Sequence, residues 1–139
     1  MLKYDTVISF QKIGRSVNGV RQGGVLSGLL FNIYIDTMLD KISNAKVGCE
    51  LGSIKSNVIA YADDIVLLAP SPTSLQMLID IADNEAKILQ LNFNTSKSKC
   101  MIFKHPKGKA IVKRSFIIGG STMETVKSFK YLGYIINEK

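Results

Sequence analysis

Apolar and polar positions along this chain follow two rhythms, and the switches between them lay out its elements. Val7-Ile8-Ser9-Phe10 reads as a short strand, and Gly14 and Gly19 punctuate the segment after it. From Ser27 onward the period lengthens. Phe31, Ile35, Met38 and Ile42 recur three or four apart, and Leu30, Tyr34 and Leu39 widen the stripe. That pattern predicts a helix largely enclosed by the core, with Ser27 suited to cap its N-terminus. Residues 43–57 carry Ser, Asn, Gly and Lys and read as a loop or a short hairpin. Val58-Ile59-Ala60-Tyr61 and Ile65-Val66-Leu67-Leu68-Ala69 then flank Ala62-Asp63-Asp64, the pattern of a tight antiparallel hairpin. Runs this apolar predict strands covered on both faces, with two adjacent carboxylates at the tip.

A second helix opens with Ser71 as N-cap and Pro72 at the first helical position. Leu75, Leu78, Ala82, Ala86 and Leu89 predict its buried face; Asp80, Asp83, Glu85 and Lys87 are expected in water. Asn92-Phe93-Asn94 ends it. Cys100-Met101-Ile102-Phe103 reads as a strand, His105-Pro106-Lys107-Gly108-Lys109 as a loop, and Phe116-Ile117-Ile118 as a strand turned by Gly119-Gly120. Tyr131 to Ile136 is expected to be the last strand. Helices beside an antiparallel sheet make the expected class α+β, with residues 1–139 forming one domain.

Composition narrows this picture. With 46% hydrophobic and 21% charged residues in 139, the chain is globular rather than disordered. No apolar run approaches the ~20 residues a bilayer span needs, so no membrane partner is expected. Cys49 and Cys100 are too few for a disulfide framework and do not form a Cys-x-x-Cys pair. Eighteen Lys and Arg against eleven Asp and Glu leave +7. Much of that excess falls late, at Lys97, Lys99, Lys104, Lys107, Lys109, Lys113, Arg114, Lys127 and Lys130. Such a field favours polyanions. A merely solvated basic surface explains the composition equally well.

Chemistry points first to Asp63-Asp64. Hard cations such as Mg²⁺ prefer carboxylate oxygens, and a divalent ion relieves the repulsion of two charges pressed together. An Asp-rich turn is the plainer reading of an isolated pair. Apolar strands on both sides weaken it, because buried strands rarely end in unpartnered charges. In Arg21-Gln22-Gly23-Gly24 the glycines permit close backbone approach and Gln22 offers both donors and acceptors, although a flexible loop entering a helix accounts for the segment alone. Lys97-Ser98-Lys99 has the charge to neutralise a phosphate or donate a proton, or to protect a strand edge. Phe129, Tyr131 and Tyr134, near Lys127 and Lys130, suit stacking on a nucleic-acid strand, or simply a core. His105 reads as a solvated loop residue.

Taken in order, these pieces resemble a known family. Gly19-Val20-Arg21-Gln22-Gly23-Gly24-Val25-Leu26-Ser27, Leu30-Phe31-Asn32-Ile33-Tyr34-Ile35-Asp36 and Tyr61-Ala62-Asp63-Asp64 resemble the reverse transcriptases, above all those of non-LTR retrotransposons. Asn94 to Met101 looks like the lysine-bearing motif after the Asp-Asp hairpin, and Phe129-Lys130-Tyr131-Leu132-Gly133 like the primer grip. The resemblance covers roughly residues 15–137. It implies DNA synthesis on an RNA template, from a DNA primer 3′-hydroxyl and deoxynucleoside triphosphates, with Mg²⁺ or Mn²⁺. It also implies the site. Asp63 would be a metal ligand and Asp64 the neighbouring supporting carboxylate. Lys97, or Lys99, would approach the pyrophosphate leaving group. Arg21, Gln22, Gly23, Gly24, Ser27, Tyr61 and Ala62 would lie against nucleotide and template, and Phe129, Tyr131, Leu132 and Gly133 would position the primer.

Two departures matter. The family carries a further metal-binding aspartate on a separate strand, well upstream of the Gln-Gly-Gly loop. Before Gln22 this chain has only Asp5, which lacks the expected aromatic-rich context and is not assigned that role. Gly28 stands where the family usually has Pro, which loosens the helix start by up to ~1 kcal/mol. The expectation is therefore a partial palm lacking fingers, first catalytic strand and thumb, with little or no activity until joined to those subdomains. The alternatives are a degenerate protein that binds nucleic acid by charge and a palm-like structural module without chemistry.

Overall fold

The computed structural model of the chain describes residues 6–14, 27–103 and 115–138. Chain order begins with β1 (Thr6–Gly14), α1 (Ser27–Ser43), β2 (Glu50–Leu51), β3 (Ile54–Lys55), β4 (Val58–Tyr61), β5 (Asp64–Ala69) and α2 (Pro72–Ile88). It continues with β6 (Asn92–Phe93), β7 (Lys99–Phe103), β8 (Phe116–Ile118), β9 (Ser121–Thr125), β10 (Ser128–Tyr131) and β11 (Tyr134–Asn137). Seven strands form one sheet in the order β4-β5-β1-β7-β9-β8, with β6 also paired to β1. Its pairs are antiparallel except β7–β9. The class is α+β.

The strand expected at residues 7–10 runs from Thr6 to Gly14 and lies at the centre of the sheet, between β5 and β7. Short-range alternation could not reveal that role, which two distant partners create. β5 follows the period-two rule closely. Ile65, Leu67 and Ala69 join the core beneath the helices. Val66 and Leu68 face the other way, with Met101 and Phe103, and are covered by Phe129, Tyr131 and Ile136 of the β10–β11 ribbon. The sheet therefore lies between two helices and a hairpin.

α2 matches its sequence signals. Ser71 Oγ accepts from Ser74 N at 3.1 Å, and Pro72 opens the helix. Leu75, Leu78 and Ile79 are fully buried, each worth about 1.5–3 kcal/mol. Glu85 departs from expectation. It is buried, because Lys41 of α1 donates to both its carboxylate oxygens at 2.8 Å. α1 departs as well. Ile35, Met38 and Ile42 are buried, but Leu30 and Tyr34 are about half exposed, so the helix presents one face to the core rather than being enclosed. Ser27 is its first helical residue.

Two strand expectations also change. β5 is covered on both faces, whereas β4 is an edge strand with Ile59, Ala60 and Tyr61 exposed. The expected last strand is split at Leu132-Gly133, where φ values of 47° and 87° reverse the chain. Positive φ at both central residues is the signature of a two-residue hairpin turn, and Gly133 makes it accessible.

Candidate functional site at the carboxylate hairpin

β4 and β5 pair Val58 with Leu67 and Tyr61 with Asp64, which leaves Ala62 and Asp63 as a two-residue loop. Asp64 is thus the first residue of a strand rather than part of the bend. Ala62 takes a φ of 50°, a left-handed conformation that side chains resist, so the surrounding pairing must hold it. Asp63 and Asp64 are half-buried, while Tyr61 and Ala62 are exposed. Their carboxylates offer adjacent hard oxygen donors. No group of three or more His, Cys, Asp and Glu side chains placed to hold a metal occurs among the described residues.

β1 acts as the ruler for this end of the sheet. Ile13 N donates to Asp63 O at 2.9 Å, Lys12 is the Cα partner of Asp64, and Ile13 and Gly14 pair with Phe93 and Asn92. The Asp63 bend and the turn after β6 therefore sit at the same end of the sheet, on either side of β1. That second turn is built by Asn94, whose Oδ1 accepts from Lys97 N at 3.1 Å and from Ser96 Oγ at 2.7 Å. Its main-chain oxygen accepts from Ser98 Oγ at 2.8 Å. Lys97 projects exposed from this turn, whereas Lys99 is held by Glu124 at 2.7 Å. Of the two candidates, Lys97 is the one that no ion pair among the described residues ties down.

The β10–β11 ribbon completes the arrangement. Tyr131 and Phe129 are half-buried against Val66 and Met101. Burial holds the Tyr131 phenol above its ordinary pKa, and the nearby Asp64 carboxylate pushes it the same way. The packing of Tyr131 against Val66 ties the aromatic hairpin to the strand that begins at Asp64, although 67 positions separate Asp64 from Tyr131 in sequence. Leu132 and Tyr134 are exposed beside the turn. Cys100, within the lysine motif, is fully buried, and burial pushes its thiol up to about 12, so it stays protonated and inert near neutral pH.

Arg21, Gln22, Gly23 and Gly24 lie outside the described residues, as do the side chain of Ser27 and the His105 loop. The strand before that segment ends at Gly14, one residue beyond Ile13, whose N–H donates to Asp63 O. The geometry brings forward one residue that the sequence pattern does not single out. Asn57 falls in a stretch that reads as a loop or short hairpin, yet it is buried. Its one signal in the chain is a lone amide side chain immediately before an apolar strand. No helix among the described residues is long and apolar enough to cross a membrane.

Comparison with known proteins finds this region elsewhere. The family model described as reverse transcriptase (RNA-dependent DNA polymerase) matches residues 7–136. The chain is 36% identical over 121 residues to the retrovirus-related Pol polyprotein from type-2 retrotransposable element R2DM of Drosophila melanogaster. That match covers 83% of the chain and 11% of the relative. It is 30% identical over 132 residues to the Pol polyprotein from a type-1 R2 element of Nasonia vitripennis, covering 88% and 13%. A corresponding R2 polyprotein of Popillia japonica is 28% identical over 122 residues, covering 84% and 17%. The chain spans less than one fifth of the length of each of these three relatives.

Proposed function

The chain belongs to the reverse transcriptase family, and from that premise we propose that it is part of an RNA-directed DNA polymerase. The reaction adds deoxynucleotides to a primer 3′ end on an RNA template. The observation that carries this reading is the packing of Phe129 and Tyr131 against Val66, two residues along the strand that begins at Asp64, which sets the primer-grip-like hairpin on the sheet face of the acidic ribbon.

Dependence on divalent metal is general to the family. Asp63 and Asp64 suit Mg²⁺ or Mn²⁺, which take carboxylate oxygens and share coordination with phosphates. When bound, such ions, held by Asp63 and Asp64, would stabilise charge on the entering and leaving oxygens of an in-line displacement. In that reaction the primer 3′-oxygen bonds to the α-phosphorus, the bond to pyrophosphate breaks, and the hydroxyl proton passes to solvent. Asp63 would serve as a metal ligand, with Asp64 as its supporting carboxylate. Lys97 donates a proton towards the departing pyrophosphate. Arg21, Gln22, Gly23, Gly24, Ser27, Tyr61 and Ala62 lie against nucleotide and template, with Lys99 nearby. Phe129, Tyr131, Leu132 and Gly133 hold the primer end.

Two carboxylates do not complete a two-metal centre. No third donor joins them in a metal-holding group among the described residues, and the remaining positions add only Asp5 and His105 to the donor set. A polypeptide of these 139 residues alone therefore extends primers little or not at all, and the complete site draws on further polymerase subdomains. Primer extension on an RNA template with Mg²⁺ tests this; robust processive extension would overturn it. Anisotropy with a primed RNA template should show binding that weakens steeply with salt, as a basic surface requires. Absent or salt-insensitive binding contradicts the nucleic-acid reading.

A further inference from the structure

The strand pair that carries Asp63 and Asp64 has an anchor away from its tip. β4 is an edge strand, and of its residues only Val58 packs against the core. Apolar burial therefore does little to fix its position, and hydrogen bonds must do more. Asn57, immediately before it, is 3% exposed. Its Nδ2 donates to the carbonyl oxygens of Ile42 at 3.1 Å, Ser43 at 3.2 Å and Ala45 at 3.4 Å. These oxygens lie at and just beyond the end of α1, where carbonyls have no partner within the helix. Asn57 O in turn accepts from Leu68 N of β5 at 2.9 Å. One residue thus closes the end of α1 and joins it to both strands of the acidic ribbon.

We propose that Asn57 is a positioning residue: through these bonds it sets the placement of the Asp63–Asp64 ribbon against α1, and hence the readiness of the two carboxylates to take a divalent ion. The effect on the ion rests on the function proposed above; the anchoring does not. Loss of the carboxamide takes a donor from three carbonyl oxygens, the Ile42 oxygen keeping Ala45 N, and releases the ribbon, while α2, capped by its own Ser71 and packed also on β1, β6 and β8, keeps its place.

The test compares Asn57→Ser, which keeps one donor, with Asn57→Ala, which keeps none. Amide hydrogen exchange is read separately over 58–68 and over α2, and Mn²⁺ affinity is read where each variant is fully folded. General loss of stability does not change the affinity of a fully populated native state, so the second readout isolates positioning. Ribbon amides should exchange faster in Asn57→Ser and faster still in Asn57→Ala, with α2 much less affected. The Mn²⁺ Kd should weaken about tenfold in Asn57→Ala, the lower end of what changes around metal ligands cost, and less in Asn57→Ser. Equal acceleration in ribbon and α2, or unchanged Mn²⁺ affinity in a folded variant, overturns the proposal. If the native chain binds no Mn²⁺ at the bend, the ion-site reading fails, and the exchange pattern alone decides the anchoring.

Discussion

A Gly48→Ala chain should lose roughly 2–6 kcal/mol of stability, a large share of the 5–15 kcal/mol typical of a domain. Gly48 has a φ of 138°, where a side chain costs about 1–3 kcal/mol. A Cβ there would also overlap the Asn57 carboxamide. The overlapped group is not a free side-chain end. It is buried and donates to three carbonyl oxygens, so displacing it leaves polar groups unsatisfied at a further cost of about 1–3 kcal/mol. Gly52 provides the control, since its φ is also positive, at 66°, but a Cβ would meet nothing within 4 Å. Gly52→Ala should lose only the conformational part. Urea unfolding followed by circular dichroism measures both. Equal losses at the two glycines would show that crowding of Asn57 contributes nothing.

The second large effect lies between the helices, and it is asymmetric. Glu85 has a side chain only 12% exposed, whereas that of Lys41 is 52% exposed. Lys41→Met strands a carboxylate that water barely reaches. Removing one partner of a fully buried pair costs about 3–5 kcal/mol. Solvent around the lysine end discounts that here to roughly 2–3 kcal/mol. Glu85→Gln leaves the ammonium free to turn into water and keeps a carbonyl oxygen as acceptor, so its loss should be about 1 kcal/mol or less. Urea unfolding of the two variants and the double variant tests the order. A Glu85→Gln loss equal to that of Lys41→Met would mean that the desolvated carboxylate is not the controlling group.

Elements with short-range causes are legible in the chain. Ser71-Pro72 marks a helix start through bonds made within three residues, and Gly119-Gly120 marks a turn through its own φ values. The paired carboxylates between two apolar runs locate the hairpin to within a residue. Features that depend on distant partners escape. Glu85 reads as solvated because its counter-charge stands 44 positions earlier. β1 reads as minor because its centrality comes from β5 and β7. Ile59 and Tyr61 read as buried because an edge strand and a central strand share the same apolar composition. Asn57 is hidden for a related reason: its acceptors belong to a helix end that residue type alone does not position. In the candidate site, the acidic hairpin and the Asn94 turn are legible as turns, while the approach of the Tyr131 hairpin to the face of the strand that begins at Asp64 requires the folded sheet.

That approach is what the functional account stands on, and paramagnetic broadening of backbone amides by Mn²⁺ reads it most directly. The account predicts the strongest loss of signal at Asp63 and Asp64, clear loss at Tyr131 and its turn, and recovery of all of them in Asp63→Asn. Broadening centred on Asp80 and Asp83 of α2, with the two hairpins left sharp, would contradict it.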